Sequence, residues 1–185
     1  MQLILASGSP RRRELLSSAG LTFRVQVPEV DETPLPGETP RDTVLRLAAL
    51  KAATVSRLEP EALVLAADTT VVLGDRMLEK PRHTAEARAM LEALSGNTHE
   101  VLTAFALHQG DRQHAAVCTT TVRFRQLTPG EIGTYVDSGE PMDKAGAYGI
   151  QGRAAGFVLQ LDGSYTNVVG LPLAQVIDAL RDFSR

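Results

Sequence analysis

The sequence predicts an α/β fold, and three observations lead to this prediction. Residues 62–67 (ALVLAA) form a continuous apolar run, which is typical of a strand covered on both faces of a sheet. Residues 3–16 have the pattern of a short buried strand, a small-residue turn and the start of a helix. Strand and helix signals continue along the rest of the chain, without an internal repeat or a low-complexity tract.

Length and composition limit the possible classes of protein. The chain has 185 residues, which predicts one domain over residues 1–185 with a sizeable core. The net charge of −3 gives no bulk electrostatic attraction for nucleic acid, and no apolar run is long enough to cross a membrane. A single cysteine, Cys118, excludes an internal disulfide and a cysteine-rich zinc site. Because a signal-peptide pattern is also missing at the N-terminus, we expect a cytoplasmic location.

The first helix should begin just after the turn that contains Ser7. Ser9 is a good N-cap residue, Pro10 suits the first helical position and Gly20 suits the position after the helix. The first turn carries three arginines at positions 11–13, where the helix dipole disfavours cations. Together with the glycine turn, these arginines indicate a phosphate-binding site, whereas the alternative is a solvated basic face.

The next segment should hold a strand, a loop and a long helix. Residues 21–27 alternate like a strand, and residues 28–40 contain four prolines and four acids, as is typical of a loop. The Thr39-Pro40 pair predicts the start of a helix that runs to about residue 58. Lys51 lies on the apolar side of that helix, either as a snorkelling surface residue or as a cation held at the end of a cleft.

Asp68 follows the apolar run of residues 62–67 directly. Ligands of open α/β sheets bind beyond the carboxyl ends of the strands, so a carboxylate here is a candidate for handling metal or water. The alternative is an Asx-turn residue that starts the next hairpin. A second strand over residues 69–73 and a turn at Gly74-Asp75 should follow, and Lys80 should lie in an extended segment before Pro81.

The second half of the chain contains further helix and strand signals. The predicted elements are a helix over residues 85–94 capped by Thr84, strands over residues 100–108 and 114–125 joined at residues 109–111, a helix from Thr128 to about residue 138, a strand over residues 157–161 and a last helix that begins with Pro172. Residues 145–152 (AGAYGIQG) contain three glycines, which indicates a backbone that approaches another group closely. Gln151 is the side chain in that segment that can both donate to and accept from a base edge.

Seven motifs together resemble one family over nearly the whole chain. They are ASGSPRRRELL at 6–16, VDE at 30–32, RLAALKA at 46–52, AADTTV at 66–71, EKP at 79–81, AGAYGIQG at 145–152 and SYTNVVGLPL at 164–173. In this order they resemble the Maf family of nucleoside triphosphate pyrophosphatases. The resemblance implies a mixed, twisted α/β sheet with flanking helices and two lobes around a deep cleft, similar to Ham1 and inosine triphosphate pyrophosphatases. It also implies hydrolysis between the α and β phosphates, with a divalent cation such as Mg²⁺ or Mn²⁺.

The resemblance implies a role for each matched residue. Asp68 matches the general base and, with Glu32, the metal ligands. The residues that match the phosphate-binding set are Ser7, Arg11, Arg12, Lys51 and Lys80, and those that match the positions distinguishing substrate classes are Arg11, Thr69 and Gln151. The Asp-Thr pair and the Ile-Gln-Gly triplet resemble the branch that acts on dTTP and UTP, which suggests a housekeeping role against non-standard nucleotides.

Two alternatives stay open at this point. One is a pyrophosphatase that prefers 7-methyl-GTP or has a broad range. The other is a nucleotide-binding regulator of septum formation, since the family has been linked to cell division. Small departures at Ala104 and at residues 153–155 bear on fine specificity rather than on activity. A homodimer is a further expectation.

Overall fold

The computed structural model describes residues 2–183, which form a mixed β-sheet with flanking helices. The strands of this part are β1 (Leu3–Leu5), β2 (Arg24–Val25), β3 (Leu63–Leu73), β4 (Arg76–Leu78), β5 (Thr98–Gln109), β6 (Arg112–Phe124) and β7 (Val158–Asp162). They lie in the order β2-β1-β3-β5-β6-β7, and β4 pairs with the far end of β3. The β1 strand is parallel to both β2 and β3, whereas β3–β4 and β6–β7 are antiparallel. This arrangement confirms the predicted mixed α/β fold.

Helices connect most of the strands. They are α1 (Pro10–Ser18), α2 (Pro40–Ser56), α3 (Thr84–Leu94), α4 (Pro129–Asp137), α5 (Tyr165–Val169) and α6 (Leu173–Phe183), with short 3-10 turns at Glu140–Asp143, Ala145–Ala147 and Arg153–Phe157. Within residues 2–183, no helix is long and apolar enough to span a lipid bilayer.

The chain divides into two compact units. Within residues 2–183, the first unit contains residues 2–68, 103–118 and 170–183, and the second contains Thr69–Leu102 and Thr119–Val169. The single domain, and the two lobes and the cleft that the resemblance implies, stay predictions.

In the first unit, the predicted strand–turn–helix is confirmed. Ser9 caps α1 by accepting a hydrogen bond from the Arg12 amide, and Pro10 occupies the first turn. Gly20 has a φ of 74°, and its amide donates to the Ser17 carbonyl while the next amide donates to the Leu16 carbonyl. These two bonds form a Schellman motif, which explains why a glycine ends this helix.

The α2 helix begins at the predicted signal, because the Thr39 side chain accepts a hydrogen bond from the Asp42 amide. Its buried face contains Val44, Leu47 and Ala48 together with Lys51. The predicted strand over residues 21–27 is much shorter, because only β2 pairs with β1. The loop that follows β2 has no regular secondary structure before Pro40, apart from a turn, as its composition predicts.

The β3 strand corrects one expectation about Asp68. Residues 63–73 form one continuous strand, so Asp68 lies inside it rather than after its end. The parallel partner β1, however, is paired only as far as Leu5 with Leu65, and one further bond joins the Ala6 amide to the Leu65 carbonyl. Asp68 therefore lies just beyond the carboxyl end of the β1–β3 pairing, which is the edge where ligands of such sheets bind.

In the second unit, the caps differ in detail from the prediction. His83, not Thr84, is the N-cap of α3, since its ring nitrogen accepts a hydrogen bond from the Glu86 amide. The α4 helix has the predicted capping box between Thr128 and Glu131. The short α5 helix was not predicted, because five residues are too few to show a helical period.

The glycines of residues 145–152 approach other parts of the protein. Gly146 has a φ of 67°, and a Cβ atom at this position would lie 2.8 Å from Cγ2 of Val71. The backbone of residues 145–152 therefore approaches another group closely, as the sequence predicts. In the second unit, that group is a set of neighbouring side chains.

Candidate active site

A cation between two carboxylates lies at the centre of the candidate site in the first unit. Nζ of Lys51 is 2.7 Å from Oε1 of Glu32 and 2.7 Å from Oδ1 of Asp68. The Lys51 side chain is only 10% exposed, so it is not the snorkelling surface residue that the sequence left open. The helix α2, the strand β3 and the loop before α2 each supply one member of this cluster.

Two oxygen atoms that are far apart in the sequence, one of Ser7 and one of Gly170, orient the Arg12 side chain. Its Nη1 donates to Oγ of Ser7 at 3.1 Å, and its Nε donates to the carbonyl of Gly170 at 2.8 Å. Oγ of Ser7 also accepts a hydrogen bond from the Ser9 amide at 3.2 Å, so the buried serine links the turn to the arginine. These contacts direct the guanidinium group of a first-turn residue and argue against a solvated basic face.

Electrostatics link Arg12 to the carboxylate cluster. Burial lowers the pKa of Arg12, the charge of Asp68 and that of Glu32 oppose this shift, and the charge of Arg11 adds to it. Arg11 is half-buried beside it. Because guanidinium groups stay protonated in proteins, both arginines are cations at neutral pH. Three cations and two acids of the predicted set therefore lie close together in the first unit.

The loop that carries Glu32 is fastened to α2. The guanidinium group of Arg46 forms a two-pronged ion pair with Glu38 and also donates to the Thr33 carbonyl at 3.2 Å. This ion pair is the main reason that the pKa of Glu38 falls to about 2. A second contact with α2 comes from the Thr43 hydroxyl group, which donates to Glu38 Oε2 at 3.1 Å. Within the loop itself, the same oxygen accepts a hydrogen bond from the Leu35 amide.

Arg46, Glu38 and the carbonyl of Gly170 were not predicted as contributors to the site. Arg46 lies in one of the family motifs and could have been noticed there. Gly170 also lies in a family motif, but the use of its carbonyl gives no signal in the sequence, because any residue type provides a backbone oxygen.

The remaining predicted residues lie in the second unit. Thr69 follows Asp68 on β3 and is half-buried, whereas Lys80 and Gln151 are exposed. Gln151 occupies a turn closed by a hydrogen bond from the Gly152 amide to the Gly149 carbonyl. The structure thus brings Ser7, Arg11, Arg12, Glu32, Lys51 and Asp68 together, and it shows the other three within their own unit.

A divalent cation would find oxygen ligands in the carboxylate cluster. Glu32 and Asp68 both reach a single cationic nitrogen, so their carboxylates already converge. Among the described residues, no group of three or more acidic, histidine or cysteine side chains could enclose a metal. Because Mg²⁺ is usually held by one or two carboxylates together with substrate phosphates and waters, this donor set fits an ion that arrives with an anionic substrate.

Comparison with solved structures supports the fold. A HAM1 protein from Coxiella burnetii superimposes with a TM-score of 0.54 at 19% identity, covering 98% of this chain and 99% of that protein. The Ham1 protein of Staphylococcus aureus gives a TM-score of 0.53 at 12% identity over the full length of both chains. The chain is therefore a mixed α/β protein with a Ham1-like fold, and in its first unit a cluster of cations and acids lies at the end of a parallel strand pair.

Sequence comparison then identifies the family. The model of the Maf-like proteins matches residues 2–183, so the chain belongs to the Maf family. A dTTP/UTP pyrophosphatase from Symbiobacterium thermophilum is 53% identical over 182 residues, which cover 98% of this chain and 94% of that protein. Proteins of the same name from Photorhabdus laumondii and Myxococcus xanthus are 52% and 51% identical, covering 98% and 96% of this chain and 93% and 90% of their own lengths.

Proposed function

We propose that the protein is a nucleoside triphosphate pyrophosphatase that acts on dTTP and UTP. The observation that carries the proposal is Lys51 Nζ at 2.7 Å from both Glu32 and Asp68, two acids whose charges also act on Arg12. Such a cluster suits a substrate that combines a polyanion with a divalent cation. The names of the relatives at about half identity support the same activity and the choice of pyrimidine nucleotides.

In this proposal, the cations bind the phosphate chain and stabilise the leaving group. Negative charge on the pyrophosphate grows as the bond between the α and β phosphates breaks, and positioned cations lower the energy of that state. Arg12 is held in place by Ser7 and Gly170, so little reorganisation is needed when the substrate binds. Arg11 and Lys51 add positive charge beside it.

Asp68 is the proposed general base. The oxygen of a water molecule forms a bond to the α phosphorus while the bond from that phosphorus to the bridging oxygen breaks and pyrophosphate leaves. A proton of the water passes to the Asp68 carboxylate. The monophosphate and pyrophosphate are the products. The side chain of Asp68 is 14% exposed, so water reaches it, while Lys51 fixes one of its oxygens and so limits its rotation. An anchored carboxylate of this kind can orient a nucleophilic water.

Glu32 and Asp68 would hold the divalent cation, Mg²⁺ or Mn²⁺. When bound, this ion supplies charge neutralisation on the phosphate oxygens. Lys51 contributes by keeping the two carboxylates together before the substrate arrives, because it lies between them.

Base recognition is proposed for the residues that match the family's specificity positions. Gln151 is exposed on its turn and can both donate to and accept from a pyrimidine edge. Thr69 and Arg11 are the other two such positions, and Lys80 is a further proposed phosphate ligand. These roles rest on the resemblance of the motifs.

The test is a panel of pyrophosphate release. The protein is incubated with Mg²⁺ and, separately, with dTTP, UTP, dCTP, GTP and 7-methyl-GTP, and both pyrophosphate and orthophosphate are measured. We expect pyrophosphate with dTTP and UTP as the best substrates. Release of orthophosphate would contradict the reaction, and binding of nucleotide without turnover would favour a regulator. A preference for 7-methyl-GTP would contradict the substrate class.

We also infer a cytoplasmic homodimer, in line with the expectations from sequence. Light scattering coupled to gel filtration measures the mass in solution. A monomeric mass would contradict the dimer.

A further inference from the structure

The turn that carries Gln151 is held by two side chains of the second unit, the buried Tyr135 and the half-buried Glu140. Oη of Tyr135 accepts a hydrogen bond from the Gly149 amide at 3.1 Å and donates to Oε1 of Glu140 at 3.1 Å. The other oxygen of Glu140 accepts a hydrogen bond from the Arg153 amide at 3.3 Å. The Tyr135–Glu140 pair therefore connects the residues on both sides of the turn.

The packing around this pair leaves it little freedom. Tyr135 is 2% exposed, and its ring packs edge-on against Phe157 at 5.2 Å between centroids. A Cβ atom at position 152 would collide with the Glu140 carboxylate, so Gly152 lets the turn close over that group. Burial raises the pKa of Tyr135 well above its ordinary value, so the phenol keeps the proton that it donates.

The turn contains one buried residue followed by one exposed residue. Ile150 is 8% exposed and points into the unit, whereas the next residue, Gln151, is exposed. The turn has no regular secondary structure of its own, so its position depends on the bonds at Gly149 and Arg153 as well as on Ile150.

From this geometry we propose that Tyr135 and Glu140 are positioning residues that hold the Gln151 turn for base recognition. The inference rests on the proposed function, in which Gln151 contacts the base. Neither residue touches the substrate. Each acts by fixing the backbone from which Gln151 projects, so their loss should weaken discrimination between bases more than it slows the chemical step.

Tyr135→Phe is the main test, because it removes one oxygen atom and keeps the ring. We expect KM for dTTP to rise by about threefold to tenfold, the effect of one net hydrogen bond, while kcat changes by less than about twofold. The preference for dTTP over GTP should fall by a similar factor. Glu140→Gln keeps the volume and replaces one acceptor, so it should act in the same direction and serves if Tyr135→Phe folds poorly.

Tyr148→Phe is the matched control. Tyr148 is a buried tyrosine of the same unit, but its hydroxyl group bonds to Nε2 of His99 at 2.8 Å instead of to the turn. Its loss should leave the preference for dTTP over GTP unchanged. A fall as large as that of Tyr135→Phe would overturn the proposal, because it would indicate a general effect of packing.

The Gln151→Ala background distinguishes positioning from a general effect. If Tyr135 acts through Gln151, then Tyr135→Phe causes no further loss of base preference in that background. An equal loss in both backgrounds, or an unchanged preference in the single variant, would overturn the inference while the wild type still released pyrophosphate. Absence of pyrophosphate from the wild type would overturn the proposed function as well. Hydrogen exchange at the Gly149 amide, which should quicken in Tyr135→Phe, provides a readout that does not depend on activity.

Discussion

The positive charge of Lys51 lies between the negative charges of two carboxylates. An ammonium group with 10% of its side chain exposed loses most of its hydration, and the two carboxylates at 2.7 Å compensate for that loss. Removing either acid would change the charge balance of the cluster. Substitutions here therefore report on the electrostatics of the site as well as on individual roles.

Asp68→Asn removes the proposed base while keeping its size. We expect kcat for pyrophosphate release to fall by about a hundredfold or more, which is the usual contribution of a positioned acid–base group. Binding of nucleotide should persist, because Arg11, Arg12 and Lys51 remain. Steady-state kinetics and calorimetric titration with dTTP measure the two effects.

Asp75→Asn is the control for that variant. Asp75 is exposed in the turn between β3 and β4, and its substitution should leave kcat unchanged. A nearly normal rate for Asp68→Asn would remove Asp68 from the mechanism.

At the scale of elements, the loop before α2 depends on Arg46 for its attachment. Arg46 contacts the loop at Glu38 and at the Thr33 carbonyl, next to Glu32. A lysine cannot form the same two-pronged contact, since it has one nitrogen on a flexible stem. Arg46→Lys should therefore raise the Mg²⁺ concentration for half-maximal activity several-fold.

The measurement is a Mg²⁺ titration at saturating dTTP. The rate at high Mg²⁺ should approach that of the wild type, because Asp68 and Lys51 are unchanged. Arg57→Lys, at the exposed end of the same helix, is the control and should not shift the titration. If Arg46→Lys and the wild type had the same Mg²⁺ concentration for half-maximal activity, the loop would not need this attachment.

Local signals predicted the ends of several elements well. Ser9 with Pro10, Thr39 with Pro40, and the Thr128–Glu131 capping box all begin helices as predicted, because capping depends on a few adjacent residues. The Gly74-Asp75 turn is also confirmed.

Long-range arrangement was harder to predict. Asp68 was expected after a strand, but an apolar run and a β-branched run separated by one acid look the same as one continuous strand. The choice between a surface and a site role for Lys51 depended on Glu32 and Asp68, which the sequence places far from it. The contact of Arg12 with Gly170 spans 158 positions and involves a backbone oxygen, so no local pattern could indicate it.

For the whole molecule, removal of metal should affect activity and leave folding unchanged. The carboxylates of Glu32 and Asp68 are both paired with Lys51 and also interact with the charge of Arg12, so the fold does not require a metal ion to balance them. In EDTA, we expect pyrophosphate release to stop and the Tm to stay the same. Excess Mg²⁺ should restore activity. A clear fall of Tm in EDTA would indicate a structural metal instead.

The stability of the protein should depend on the pH through His99. Burial lowers the pKa of His99 to about 4, and the residue is 2% exposed. In the unfolded chain, His99 binds a proton near pH 6.5, whereas in the folded protein its ring stays neutral until the pH is close to 4. The free energy of unfolding is therefore highest above pH 6.5 and decreases as the pH falls towards 4. The loss amounts to about 3 kcal/mol of the free energy of unfolding.

His99→Gln should reduce this dependence between pH 6.5 and 4, because the side chain no longer titrates. Urea unfolding at a series of pH values measures it. Tyr148→Phe is the control: it keeps the buried imidazole, and the steep dependence should remain. If His99→Gln and the wild type lost stability equally, another group would be responsible.

The hydrogen bond from Arg12 to the Gly170 carbonyl has a consequence during protein synthesis. A ribosome makes Arg12 well before it makes the oxygen that orients this side chain, because the two residues are 158 positions apart in the sequence. Nascent chains and prematurely terminated fragments that end before Gly170 thus lack a fully oriented arginine. Under the proposed activity, an incomplete product would be a poor consumer of the cell's pyrimidine triphosphates.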